Sequence, residues 1–483
     1  MRVPVKNEPW PAGEQPRLAG INGFGYGGTN AHVILQGPPR SEIDGQPENQ
    51  QIGACQQPTS IDPAADELAH QLIPLAARSS KALQDTVRQL HTYLTDSRQS
   101  SLGLAELAGQ LAHRRTQHDH RLVIIAQSRE HLCSQLAMLA EGQTTDDSVA
   151  HRLTTSTSPQ LTFVCSGQGP QWWAMGRELF HKEATFRSVI ERCDAVSRQL
   201  GDWSLQAELL ADQQRSRMHK TAIAQPAIFS LQVALAALWR SWGVVPQQIV
   251  GHSVGEVAAA HLAGVYPLEE AFRIVYHRGR CMDLASSEGR MLAVGLSHRE
   301  AKELVSDYNG YVTIAAVNSP SSLTLSGTAA PLEEIAQRLT ARQVFWRELK
   351  VEYAFHSAEM DPIRDALLTS LADIQPANVH TPLLSTVTGN WVEGPELNGD
   401  YWWRNVRQTV RFADAITLLA DTDSRIAVEV SPHPVLAYSV AECFEQAGHR
   451  VHNICSLRKD AAEQMTIRKS LGELHTLGYP IDW

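Results

Sequence analysis

The chain has 483 residues, 43% of them hydrophobic and 19% charged, with a formal net charge of −10. That length exceeds a single compact core and implies roughly two to four domains, while the negative balance argues against a general nucleic-acid or anionic-membrane binder. The seven cysteines (55, 133, 165, 193, 281, 443, 455) are widely spaced and form no Cys-x-x-Cys, a pattern that fits unpaired thiols and offers no zinc-ligand spacing. No apolar run reaches the roughly 18–20 residues of a membrane-spanning helix, and the first residues lack a signal-peptide core. A cytoplasmic location without membrane or nucleic-acid partners is expected.

Residues 1–20, rich in proline and charge, read as an extended strap. The run Ile21-Asn22-Gly23-Phe24-Gly25-Tyr26-Gly27-Gly28-Thr29-Asn30-Ala31-His32 follows. Its glycines suggest a nucleotide loop, but no strand is expected before them. The residues after them alternate like a strand instead of opening a helix, which argues against that reading. The Gly-Thr-Asn-Ala-His segment closely resembles the end of a ketosynthase domain, and on that resemblance His32 matches an active-site histidine. The remainder of a ketosynthase, including its nucleophilic cysteine, is missing, so residues 1–36 are expected to be a remnant kept for packing. Residues 37–67, rich in Pro, Gln, Gly and Ser, read as a flexible linker.

From Leu72 the pattern becomes periodic. Leu72–Ala77 and Arg121–Ala126 read as strands, and Ala82–Leu94, Leu102–Leu111 and Glu130–Leu139 as helices. This small α+β unit, residues 68–157, is similar to the linker domain between ketosynthase and acyltransferase in polyketide synthases. His113, His118 and His120 fall in a polar stretch between elements, which favours solvated loop histidines over a metal site.

A buried-type strand, Leu161–Cys165, then runs into Ser166-Gly167-Gln168-Gly169-Pro170, whose glycines let the Gln168 amide approach a ligand closely. Helices are expected over Met175–Phe180, Thr185–Leu200 and from Gln225 to about Trp239. The stretch Ile249-Val250-Gly251-His252-Ser253-Val254-Gly255-Glu256 is an apolar strand, a sharp Gly-x-Ser-x-Gly turn and a helix. Such an elbow lifts the serine oxygen clear of a sheet and aims the next backbone N–H, that of Val254, at a developing oxyanion. Gly-His-Ser-Val-Gly-Glu resembles the signature of malonyl-CoA:acyl carrier protein acyltransferases and of the acyltransferase domains of modular polyketide synthases.

That resemblance assigns roles further along the chain. It implies that Ser253 is the nucleophile and that Gln168 helps line the oxyanion hole, with Gln225 bordering the site. Arg278, in Tyr276-His277-Arg278-Gly279-Arg280, would grip the free carboxylate of a malonyl-type group. The chemistry suits a planar guanidinium with two parallel donors; Arg280, about 200° further round the helix, should face elsewhere. Residues 291–351 read strand, helix, strand, strand, helix, strand, the last over Val344–Val351. This βαββαβ order is ferredoxin-like, and Asn318 within it would point toward the cleft. His356, in Tyr353-Ala354-Phe355-His356, matches the family's base, whereas His252 should be structural. No acid is placed for a triad, so a Ser–His dyad is expected, with the base oriented from the loop around His433.

The expected fold class is therefore α/β. A hydrolase-like large acyltransferase subdomain (158–290 and 352–457) carries an inserted ferredoxin-like subdomain. The small α+β linker domain precedes it, and a post-acyltransferase linker (458–483) follows. The resemblance implies transfer of an acyl group from acyl-CoA to the phosphopantetheine thiol of an acyl carrier protein, without a bound cofactor or metal. Ketosynthase and other synthase modules would be further partners. Tyr353 and Phe355 form a hybrid of two extender-unit motifs: Phe355 and Val254 favour malonyl-CoA, whereas Tyr353 favours methylmalonyl-CoA. A serine esterase and a non-catalytic docking fragment remain open at this level.

Overall fold

A computed structural model describes residues 18–24, 30–36, 70–96, 102–154, 157–201, 203–285, 289–351 and 353–483. The chain divides into two compact units, residues 1–61 and 62–483. In the first, strands Leu18–Phe24 and Asn30–Gln36 pair antiparallel, from Leu18 opposite Gln36 to Phe24 opposite Asn30. A strand therefore does precede the glycine-rich run, contrary to expectation. Its two glycines, Gly20 and Gly23, lower the strand signal in the sequence. A second strand follows in place of a helix, so no helix N-terminus is offered there to a phosphate. The linker expected at 37–67 lies wholly outside the described residues, as does the strap before residue 18.

The second unit opens with an antiparallel sheet of three strands in the order Gln71–Ala77, His120–Ala126, Ser148–Arg152. Successive side chains of a strand point to opposite faces. Ile73, Leu75, Leu122 and Ile124 meet Val87, Leu94, Leu107, Leu132 and Leu136 of the helices Ser80–Thr95, Leu104–Arg114 and Arg129–Ala140. Leu72, Val123 and Ile125 join the main core on the other face. There the helix Glu463–Thr476 crosses the sheet, and a Cβ on Gly472 would lie 2.9 Å from Val123. Burial on both faces is why the first two strands carry the apolar runs Leu72–Ala77 and Leu122–Ala126.

The large sheet has six strands in the order Asn390–Val392, Leu383–Ser385, Gln248–Gly251, Gln160–Cys165, Ser424–Val430, His452–Cys455. All neighbours are parallel except the first pair. Gln160–Cys165 comes first in sequence and sits in the middle, with later strands added on either side. Beside such a reversal the loops leaving the carboxyl ends diverge and open a crevice. Ser166-Gly167-Gln168 and His252-Ser253 leave their strands at that end.

Helix Thr221–Ser241 is the spine of the main core. With a mean hydropathy of 1.6 it is long and apolar enough to cross a membrane by length and composition, which corrects the expectation that no such stretch exists. Its most apolar 18-residue stretch is 89% buried inside the protein, its isolated Gln225, Ser230 and Gln232 being too few to lower the mean. The helix also begins before Gln225. Pro226 falls in its second turn and removes one bond to the Ala222 carbonyl, a local cost that burial of nearly every neighbouring side chain outweighs.

Residues 289–348 form an antiparallel sheet in the order Trp346–Glu348, Gly289–Val294, Ser322–Thr328, Val312–Ser319. In chain order that is 4-1-3-2, with helices His298–Ser306 and Ala329–Ala341 packed on a shared core of Leu292, Leu304, Leu323 and Ile335. This is the ferredoxin-like arrangement. Its last strand keeps only three exposed residues of the eight expected, because it is an outer strand with little to cover. Val312–Ser319 is the opposite edge, and its outer side pairs with the large subdomain through a parallel bridge between Ala316 and Val410.

Candidate active site

Ser253 has φ 52°, inside the left-handed region that costs an L-residue about 1–2 kcal/mol. The flanking glycines make this turn possible. A Cβ on Gly251 would lie 2.3 Å from Glu256 Cα, and one on Gly255 would lie 2.3 Å from the Ser166 carbonyl. The helix Gly255–Ala263 starts directly after the elbow. Gly255 and Glu256 spend their N–H groups on His252 and Ser253, while the Val254 N–H has no backbone acceptor among the described residues. It is therefore free to serve as an oxyanion donor, reinforced by the positive end of the helix dipole.

His356 also adopts a left-handed conformation, φ 60°. Its Nε2 lies 2.8 Å from Ser253 Oγ, and its Nδ1 lies 2.9 Å from the Gln408 carbonyl. A carbonyl can only accept, so Nδ1 carries the proton and Nε2 is left to accept from the serine hydroxyl. The orienting group is thus Gln408, after the helix Gly399–Arg407, and not the loop around His433. Gln408 precedes the expected loop by one strand, and as a backbone acceptor it is marked by no side-chain pattern.

Arg278 is 2% exposed and donates from Nη2 to Ser253 Oγ at 3.1 Å. It faces inward from the helix Leu268–Cys281, which can lie close to Thr221–Ser241 because Gly279 faces the Thr221 carbonyl and Ala222 Cα, each 3.1 Å from where a Cβ would sit. Its Nε is buried without a partner among the described residues. Burial lowers its pKa to about 9, with buried Glu256 opposing the shift. Arg280 is exposed, as its helical position predicts. Burial, then the positive fields of Arg278 and His252, hold His356 down to about 3. A neutral imidazole acceptor and a buried cation thus converge on the Ser253 hydroxyl oxygen.

The other residues singled out in the sequence surround this centre. Gln168 donates to Thr221 Oγ1 at 3.2 Å and accepts from Gln225 Nε2 at 3.2 Å, and Gln225 also contacts Met282 Sδ. Tyr353 and Phe355 are buried, their ring centroids 6.0 Å apart, and the Tyr353 hydroxyl donates to Asp283 at 3.0 Å. Asn318 is half-buried; its Oδ1 accepts from His252 Nε2 at 2.9 Å, and its Nδ2 donates to Thr324. His252 packs its ring against Phe412, with ring centroids 5.4 Å apart.

Glu256 was missed. It is fully buried beneath the elbow and bonds Thr386 through N–H and hydroxyl, Asn405 Nδ2 and the Tyr401 hydroxyl. Asn405 also donates to the Ser253 carbonyl at 3.2 Å. Burial raises the Glu256 pKa. A lone acid opening the otherwise apolar run Val257-Ala258-Ala259-Ala260 was the available signal, since such a residue is tolerated inside only with partners.

Known proteins share this architecture. Residues 162–480 match the acyl transferase domain family, and residues 1–125 match the ketoacyl-synthetase C-terminal extension. The chain is 38% identical over 482 residues to polyketide synthase GfsB of Streptomyces halstedii, covering 98% of this chain and 9% of that protein. It is 34% identical over 489 residues to erythronolide synthase EryA2 of Saccharopolyspora erythraea, covering 99% and 13%. It therefore spans only about a tenth of these relatives. The acyltransferase domain from module 8 of the salinomycin polyketide synthase superposes with a TM-score of 0.81 at 31% identity, covering 86% of this chain and 97% of that one. The acyl transferase domain of SpnD, solved in complex with 2-(pent-4-yn-1-yl)malonyl, gives 0.75 at 28%, covering 85% and 96%. The chain belongs to the acyltransferase domains of modular polyketide synthases and carries a ketosynthase C-terminal extension.

Proposed function

We propose that the chain moves a malonyl group from CoA to the phosphopantetheine thiol of an acyl carrier protein by way of a Ser253 ester. The observation that carries this reading is the convergence on Ser253 Oγ of His356 Nε2 at 2.8 Å and Arg278 Nη2 at 3.1 Å. His356 takes the serine proton as Oγ attacks the thioester carbonyl. Val254 N–H and Gln168 stabilise the oxyanion, and His356 returns the proton to the departing CoA thiolate. In the second half-reaction His356 deprotonates the incoming thiol, which displaces Ser253 and receives the acyl group. One thioester is exchanged for an ester and then re-formed, with no change in oxidation state.

Arg278 is the reason to favour a dicarboxylic acyl group. A buried guanidinium whose Nε has no partner among the described residues is a ready site for the free carboxylate. A relative solved with a substituted malonyl group supports the same substrate class. Phe355, beside His356, would fill the space of an α-methyl, which favours malonyl over methylmalonyl. Carrier protein and ketosynthase partners are proposed from the relatives, which are much longer synthases.

The test is transfer in competition. Malonyl-, methylmalonyl- and acetyl-CoA are offered together with a phosphopantetheinylated carrier protein, and acylated carrier is counted against free acid. Malonyl-carrier as the main product supports the proposal. Free acid as the main product would identify an esterase, and no turnover at all a docking fragment.

A further inference from the structure

We propose that the outer strand of the small subdomain, Val312–Ser319, is the positioning element for both Ser253 and His356, acting through Thr313, Asn318 and the docked residue Thr409. This rests on the acyl-transfer reading above. Both reacting residues sit at positive φ, 52° and 60°, and strained conformations persist only where the surroundings over-determine them. For each residue, part of that surrounding is the same strand.

On the nucleophile side the strand acts through His252. Asn318 Oδ1 accepts from His252 Nε2 at 2.9 Å, fixing the residue that immediately precedes Ser253 in the elbow. On the base side it acts twice. Thr313 Oγ1 donates to the His356 carbonyl at 3.2 Å, closer than its alternative acceptor, the Ser326 carbonyl at 3.5 Å. The strand also binds residues 409–410, directly after the Gln408 carbonyl that holds the His356 ring. Val410 N–H donates to the Ala315 carbonyl at 2.8 Å, Val317 N–H to the Val410 carbonyl at 2.9 Å, and Thr409 Oγ1 to the Ile314 carbonyl at 2.7 Å.

The topology makes this possible. Val312–Ser319 is an edge strand of its sheet, so one side of its backbone is available to another chain segment. That side is spent on the segment carrying the Gln408 carbonyl. The small subdomain thereby sets the Ser253–His356 distance from outside the large sheet, although its strand supplies neither reacting atom.

Thr313→Val and Thr409→Val each remove one hydroxyl at nearly constant volume, and Thr→Ser at either position restores it. The measurement is the single-turnover rate of acyl-enzyme formation per active site, with sites counted at the end point by a fluorophosphonate. The valine variants should lose about ten- to hundredfold in rate per site, the scale expected when a reacting group is misplaced by about an ångström. KM for acyl-CoA and the number of titratable sites should stay near wild type, and serine should recover most of the rate. Thr409→Val carries the test if Thr313→Val does not fold. A wild-type rate per site in the valine variants overturns the proposal, as does activity lost only through fewer titratable sites. Ser253→Ala is run alongside: if it still acquires an acyl group, the acyl-transfer reading fails and the proposal with it. If it does not, unchanged valine variants refute the positioning role alone.

Discussion

Replacing Arg278 by alanine should shift the choice of acyl group more than the capacity to load one. The guanidinium reaches Ser253 Oγ through Nη2 at 3.1 Å, and its Nε has no partner among the described residues. A carboxylate seated there would gain charge-assisted hydrogen bonds that an acetyl group cannot make. Each contributes about 1.5–3 kcal/mol, and about 1.4 kcal/mol corresponds to a factor of ten. The ratio of malonyl to acetyl loading should therefore fall by about ten- to hundredfold on losing one such bond. The contact with Ser253 is lost for both substrates and cancels in the ratio. Arg278→Lys should fall between, since an ammonium is a point donor without the parallel fork. The assay is intact-protein mass spectrometry after brief exposure to an equimolar pair of CoA esters. Arg280→Ala, on the exposed side of the same helix, should leave the ratio where it was. An unchanged ratio in Arg278→Ala, or a shift of equal size in Arg280→Ala, refutes the reasoning.

Phe355→Ser should move loading toward methylmalonyl-CoA in the same competition, by a factor reflecting about 1–3 kcal/mol for one methyl; no movement would show that this ring is not the gate. The pH profile of loading should lack an acid limb near the usual imidazole pKa, because burial and Arg278 hold His356 near 3, and in Arg278→Ala any limb should move upward. The same depression makes His356 cost stability as pH falls from about 6.5 toward 3, since only the unfolded chain binds that proton. Glu429 and Glu463, raised by burial to about 7, act in the opposite direction and cost stability as pH rises above their ordinary range. Denaturation midpoints across pH should show a maximum between these limits, and a flat profile contradicts both assignments. Gly251→Ala should abolish loading, because its Cβ would lie 2.3 Å from Glu256 Cα.

What the sequence made legible follows from where its signals are local. The elbow is one uninterrupted stretch, strand, glycine turn and helix, so Ser253, Val254 and the tight turn were readable without tertiary information. The ferredoxin-like insert was readable because its six elements alternate cleanly in period. The pairing of Ser253 with His356, 103 residues apart, needed the family resemblance, since no spacing rule spans that distance. Gln408 and Val410 act through backbone atoms, which carry no signature in residue type. Asn318 lies beside the elbow, and its bond to His252 Nε2 is a long-range contact that no residue pattern marks. Gln225 illustrates a different limit: the proline after it looked like a helix start, and deep burial carried the helix through it.

The central claim is a covalent acyl group on Ser253, and peptide mapping of the quenched enzyme tests it most directly. After brief exposure to malonyl-CoA without a carrier protein, the peptide containing Gly251-His252-Ser253-Val254-Gly255 should carry one malonyl group. That adduct should be absent in Ser253→Ala and should disappear from the native enzyme when phosphopantetheinylated carrier protein is added. A malonyl group found on another residue, or one that persists in Ser253→Ala, would contradict the account.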